Sequence, residues 1–255
     1  MDPFHSARRQ MIRARELIPF ALTPPVSKLV VVTAADSSHA LSLDRFLSSL
    51  RDQHDPFTVL VYDLGLEPAE HKQLAEKYPQ SQLRMFDYSS YPEYFNIKVQ
   101  AGQYAWKPVI LAGAAEEFRE AVCWMDAGNL ITSRLIWIRK ILRSLGVYSP
   151  VSKGRIRDWT HPRTLEYLGV APGLLNRRNL NGACLAVDYR SDQGMQLLRR
   201  WRECALIRDC IAPLGSDRSN HRQDQAVLSV LCHQMGLAER MPKFCHGFRT
   251  HLDVE

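Results

Sequence analysis

The sequence has no apolar run near the ~20 residues needed to cross a bilayer, and no stretch in the charged, apolar, small-residue order of a secretory leader. Both gaps lead to the expectation of a cytoplasmic protein. The six cysteines, Cys123, Cys184, Cys204, Cys210, Cys232 and Cys245, contain no C-x-x-C pair. A chain of 255 residues needs no disulfide scaffold, so reduced and mostly buried thiols are expected. Neither G-x-G-x-x-G nor G-x-x-x-x-G-K-[ST] occurs, which weighs against dinucleotide dehydrogenases and P-loop enzymes. No helix-turn-helix, RRM or zinc-finger pattern is visible, so nucleic acid is not an expected partner. Repeats and low-complexity tracts are also missing, and the only boundary the composition marks is near residue 28.

What is present is ordinary globular usage, 45% apolar and 24% charged, with a net charge of +6. That surplus attracts anions without selecting among them. Residues 1–27 carry Arg8, Arg9, Arg13 and Arg15 among scattered apolar side chains, and Pro19, Pro24 and Pro25 then stop any helix. This basic arm either packs on the domain as a helix or lies on an anionic membrane, which would make the protein peripheral at the inner face.

From Lys28 the pattern alternates. The run Leu29, Val30, Val31, Val32, Thr33 reads as a buried parallel strand, and Leu43, Phe46, Leu47 and Leu50 form one apolar face of a helix ending before Pro56. Residues 57–62 and 83–86 read as strands and 68–78 as a helix between them. Leu111, Ala114, Ala115 and Phe118 mark a further helix, and residues 121–125 an apolar strand ending on Asp126. Beyond that, helices are predicted around 133–145, 193–208 and 223–235, a strand at 183–187, and a loop-rich basic stretch from 147 to 178. Strands alternating with helices imply an α/β fold with a largely parallel central sheet flanked by helices, whose ligands sit at the carboxyl ends of the strands. Asp36 and Asp126 both fall there.

Three constellations can carry chemistry, each with a structural alternative. Asp36 follows Ala34 and Ala35 at the turn after the first strand, where a carboxylate can accept the imide N–H of a uracil or simply cap the next helix. Asp126 ends a buried strand, where a divalent cation bridging a diphosphate would lower the cost of its charge, or where it would close an Asx turn. Asp224 and Gln225 precede Val227, Val230 and Leu231, in a first helical turn that favours a carboxylate. A zinc site built on Cys245-His246 and Cys232-His233 is not expected, because the spacing is irregular.

In order and spacing, Val32-Thr33-Ala34-Ala35-Asp36, Tyr104-Ala105-Trp106-Lys107, Trp124-Met125-Asp126, Asn181-Gly182-Ala183, Asp224-Gln225 and His246-Gly247 resemble the family 8 glycosyltransferases and related retaining transferases of the GT-A fold, the group that includes lipopolysaccharide galactosyltransferases and glycogenin. The likeness runs from about residue 28 to 250, within a single domain of residues 28–255. It implies transfer of a sugar from a nucleotide-sugar donor, expected to be a UDP-sugar, to a glycan or glycolipid acceptor with retention of configuration. It further implies that Asp36 meets the uracil, that Lys107 pairs with phosphate or sugar, and that Asp126 ligates Mn²⁺ or Mg²⁺ with His246 as second ligand. Asn181, Asp224 and Gln225 would line the face where the sugar moves, with Asp224 or Gln225 steadying it.

One departure matters. The family's metal motif is Asp-x-Asp, whereas here Asp126-Ala127-Gly128 is followed by Asn129. Either Asn129 or water replaces the missing carboxylate, or Lys107, Lys153, Arg155 and Arg157 neutralise the diphosphate without metal. The stretch 153–161 mixes cations with an aromatic side chain, so Arg157, Trp159 and His161 are candidates for an acceptor wall. The competing reading is a non-catalytic module of the same fold that binds an anionic glycan or another polyanion.

Overall fold

The computed structural model describes residues 11–55 and 57–254. A six-stranded sheet runs through it in the order β3-β2-β1-β4-β9-β6. Its strands are β1 (Leu29–Asp36), β2 (Thr58–Gly65), β3 (Ser81–Met85), β4 (Ala121–Met125), β6 (Val147–Tyr148) and β9 (Cys184–Val187). The first four pair in parallel, whereas β9 runs antiparallel to both β4 and β6. Successive side chains of a strand point to opposite faces. Val30 and Val32 therefore enter one core and Val31 the other.

On the first face lie α3 (Trp106–Phe118), α5 (Asp192–Ala205) and α6 (Gln223–Gln234); on the second lie α1 (Ala40–Arg51) and α4 (Ile136–Leu145). Leu43, Phe46, Leu47 and Leu50 form the buried stripe of α1. Helix α2 (Pro68–Lys77) opens with proline and a reciprocal Glu67/Glu70 cap, which satisfies first-turn N–H groups.

Two expectations change. The stretch 147–178 is not loop: it contains β6 and β7 (Val151–Arg155), and β7 pairs antiparallel with β8 (Arg178–Leu180). The sequence Ser152-Lys153-Gly154 has no apolar alternation, so this ladder depends on partners distant in sequence. Of the thiols expected to be reduced, Cys204 and Cys210 form a disulfide, with Cα atoms 5.2 Å apart, because the chain folds back between α5 and the short helix Arg208–Ile211. Cys123, Cys184, Cys232 and Cys245 are free.

In the described part of the basic arm, Leu17, Phe20 and Val26 are buried in the second core. Arg139 on α4 donates to the Val26 and Ser27 carbonyls at 2.9 and 2.7 Å. Arg8 and Arg9 lie outside the described residues. Among the described residues no helix is long and apolar enough to cross a membrane.

Candidate functional site

β1 and β4 are parallel neighbours, so Asp36 at the end of one and Asp126 just past the other reach the same edge of the sheet. Ligands of open α/β sheets bind in a crevice at the carboxyl ends of the strands. Here that crevice is a cleft of about 460 Å³. Ala34, Asp36 and His39 form one wall, Asp126, Ala127 and Gly128 another, and Gly182, Asp224 and Gln225 a third.

Its floor is Lys107, at the start of α3. The Nζ lies 3.0 Å from Asp126 Oδ1 and 3.0 Å from Asp224 Oδ2, and donates to the Gly182 carbonyl at 3.2 Å. Trp124, Tyr104 and Trp106 surround it, their ring centroids 5.3, 5.7 and 5.9 Å away. Burial opposes the ammonium charge, but the two carboxylates outweigh it and hold Lys107 above the usual lysine range. Burial raises the Asp224 carboxyl while Lys107 pulls it down, with a net upward shift. Asp126 Oδ1 also accepts the Trp124 indole N–H at 2.6 Å, which leaves its other oxygen for the cleft.

At the opposite wall, Asp36 Oδ1 accepts from Ser38 Oγ at 2.7 Å and bonds His39 Nδ1 at 2.9 Å. The His39 bond, working against burial, lowers the Asp36 carboxyl and raises the imidazole. Asp224 stands in the first turn of α6, and Gln225 donates to the Leu180 carbonyl at 2.8 Å. Gly182 is required by this approach: a Cβ there would sit 3.0 Å from Gln225 Cβ and 3.3 Å from Asp224 Oδ2. Another wall is built from backbone in the left-handed region, where Gln100, Ala101, Gly102, Gln103 and Tyr104 all have positive φ. Such runs cost energy for every residue with a side chain, and strain of this kind concentrates at binding sites.

Ala34, Asp36, Lys107, Asp126, Asp224 and Gln225 are thus brought together, and other expected residues are not. Asn181 lies behind the wall, its Oδ1 accepting the Ala183 N–H at 3.0 Å and its Nδ2 donating to Thr250 Oγ1 at 3.3 Å, so it shapes the turn that presents Gly182. His246 is away from the cleft, with Nε2 3.7 Å from Glu16 and its basicity pushed down to about 4 by burial. Asn129 points inward to the Ala183 carbonyl at 2.8 Å and cannot replace a cleft carboxylate.

Arg157, Trp159 and His161 do not line the cleft. Arg157 pairs with its neighbour Asp158 at 3.5 Å, and His161 caps the short helix Pro162–Tyr167. Trp159 supports the guanidinium of Arg222 at 4.3 Å, and it is Arg222 that reaches the cleft. Of the expected neutralising cations only Lys107 faces the cleft, joined by Arg218, which bonds Tyr104 Oη, and by Arg222.

His39, Arg218, Arg222, His251 and Asp253 were not anticipated. They sit in segments without periodicity, and only their charge or metal-binding type could have flagged them. Among the described residues no three His, Cys, Asp or Glu side chains gather into a ready cage for a metal ion. Asp126 and Asp253 nevertheless line one wall, and the carboxylate of Asp253 fills the space that a side chain at Gly128 would need.

Residues 20–112 match a family described as a protein of unknown function, DUF1647. No curated protein matches the sequence. Among solved structures, the galactosyltransferase LgtC in complex with donor and acceptor sugar analogs is similar at TM-score 0.53 and 16% identity, over 79% of this chain and 70% of that one. The apo bifunctional glycosyltransferase WbbM is similar at TM-score 0.53 and 13% identity, over 88% of this chain. The apo glycosyltransferase GlyE of Streptococcus pneumoniae TIGR4 is similar at TM-score 0.50 and 13% identity, over 82%. The chain spans 40% of the length of WbbM and 44% of GlyE. The fold is that of the GT-A glycosyltransferases, a mixed α/β architecture with a mostly parallel central sheet flanked by helices.

Proposed function

On that fold, we propose that the cleft binds a UDP-sugar and transfers its sugar to a hydroxyl of a glycan or glycolipid acceptor. The observation that carries the reading is the buried Lys107 ammonium, shared between Asp126 and Asp224 at the floor of a cleft whose far wall presents Asp36. A buried ammonium needs carboxylate partners wherever it lies, but here the lysine and both partners also line the cleft, where a ligand would meet them. Buried charge that is paired and aimed into a cavity is characteristic of reaction sites.

Asp36, kept ionised by His39, accepts a uracil N–H, and Ala34 and Ala35 let the flat base approach the strand end. As the donor bond breaks, negative charge grows on the leaving diphosphate and positive charge on the sugar, so fixed charges aimed at both lower the barrier. Arg218 and Arg222 offer guanidinium groups to the phosphates. A divalent cation, when bound, would add charge neutralisation at the diphosphate, held by the free oxygen of Asp126.

Asp224 steadies the sugar as it becomes cationic, and Gln225 fixes the turn beside it. Proton uptake by Asp224 would weaken its pairing with Lys107 at 3.0 Å, which supports an electrostatic role over that of a general base. That role leaves inversion without its general base, which supports retention of configuration. The polyanion-binding alternative is not favoured.

The test is a panel of nucleotide sugars screened by thermal shift and by UDP release. A ligand present at 100 times its dissociation constant stabilises the folded state by about 2.7 kcal/mol. UDP and one UDP-sugar are expected to raise the melting temperature, with slow UDP release from that sugar, and NMR of the product reports the anomer. No shift and no release with any nucleotide sugar would refute the proposal.

A further inference from the structure

The geometry points to a divalent-cation site split between two distant parts of the chain, in which Asp253 supplies the carboxylate that Asp126-Ala127-Gly128 lacks. A Cβ built on Gly128 would overlap Asp253 Oδ1 and lie 2.6 Å from its Cγ. The carboxylate therefore stands where a side chain of residue 128 would begin, and glycine is the residue that admits it.

The placement is enforced on both sides of Asp253. The strand β10 (Phe248–Arg249) pairs antiparallel with β5 (Leu130–Ile131), directly after the motif turn. Leu252 then donates its N–H to the Gly128 carbonyl at 2.8 Å, and Val254 donates to Ser42 Oγ at 2.8 Å. One bond precedes Asp253 and one follows it, so its side chain is held at the cleft although it is exposed.

The charge balance calls for a cation. Lys107 is a single ammonium serving both Asp126 and Asp224; Asp253, like Asp126, acts on the His39 imidazole through space, but among the described residues it makes no hydrogen bond or ion pair. A diphosphate approaching this wall would meet two carboxylates, and like charges repel unless a cation lies between them. Hard divalent cations are held by one or two protein carboxylates, with substrate phosphate oxygens and water completing the shell. Two carboxylates facing one cleft meet that need without a three-residue cage. The inference rests on the nucleotide-diphosphate reading for its third ligand, but its protein half can be measured alone.

The full chain is titrated with Mn²⁺, free Mn²⁺ being read by electron paramagnetic resonance, in the absence and presence of UDP. UDP binding in EDTA is measured separately. Asp253→Asn is expected to weaken Mn²⁺ binding by about tenfold or more without weakening metal-free UDP binding, because the exchange removes a carboxylate that repels the diphosphate. The double variant Gly128→Asp with Asp253→Gly moves the carboxylate into the motif and is expected to restore most of the Mn²⁺ affinity, with thermal unfolding confirming that both variants fold. Equal Mn²⁺ affinity in the wild type and Asp253→Asn, or no Mn²⁺ binding by the wild type with UDP present, overturns the assignment. If UDP binds in EDTA while Mn²⁺ ignores Asp253, the split site fails and the nucleotide reading stands. If UDP binds under no condition but Mn²⁺ still depends on Asp253, the split site stands and the nucleotide reading fails.

Discussion

Replacing Lys107 by Met removes the ammonium while keeping most of the volume of its stem. At an effective dielectric of about 20, unit charges 3.0 Å apart attract by about 5.5 kcal/mol, and Lys107 makes two such pairs. The pair with Asp126 is discounted for screening, since that side chain is 34% exposed, whereas Asp224 is 7% exposed and keeps nearly the full interaction. Desolvation of the ions offsets much of this gain, and losing one partner of a buried pair typically costs about 3–5 kcal/mol. That is the loss expected in urea or guanidinium unfolding at neutral pH.

The variant also has a pH signature. In the wild type Asp224 is lifted by burial and held down by Lys107; without the lysine only the lift remains, together with repulsion from Asp126. A carboxyl whose folded value is raised favours folding below its unfolded value of about 3.9, and that contribution is lost as pH rises through the folded value. Lys107→Met should therefore regain stability on acidification from neutrality. Unfolding within about 1 kcal/mol of wild type, with no added dependence on pH, would refute the buried ion cluster as the organiser of this site.

The Asp36–His39 bond predicts a histidine that titrates above its ordinary value of about 6.5 and falls back in Asp36→Asn, which an NMR titration of the imidazole reads. Asp36 stabilises above its unfolded value of about 3.9 and loses that effect as pH falls; His39 stabilises below about 6.5 and loses it as pH rises, so the pair contributes most between the two. Gly182→Ala puts a methyl 3.0 Å from Gln225 Cβ and should cost about 1–3 kcal/mol in unfolding, together with weaker UDP binding. Replacing Cys204 and Cys210 together by Ser opens a loop of sequence separation 6 and should cost about 2 kcal/mol in thermal unfolding. A protein with two titratable thiols at those positions under non-reducing, denaturing conditions would overturn the disulfide.

Much of the frame is written locally in the sequence. Leu29 to Thr33 and Ala121 to Met125 are β-branched or apolar runs with no polar interruption to an inward face, so they fold as central strands buried on both sides, and Asp36 and Asp126 follow at their carboxyl ends. The Asp224-Gln225 pair before an apolar series is a helix start, and it is one. Period and punctuation decide such features because they depend on neighbours a few residues away.

Tertiary structure alone decided which of these residues meet. Residue 107 bridging residues 126 and 224, the carboxylate of 253 resting on 128, and Trp159 turned beneath Arg222 instead of into the cleft all join segments that share no local pattern. His246 carries the side chain of a ligand but lies beside Glu16, while His251, five residues on, faces the cleft. Side-chain chemistry is a property of the residue, whereas burial, pairing and the balance of charge are properties of the space it shares, and that space exists only once the sheet has brought distant segments together.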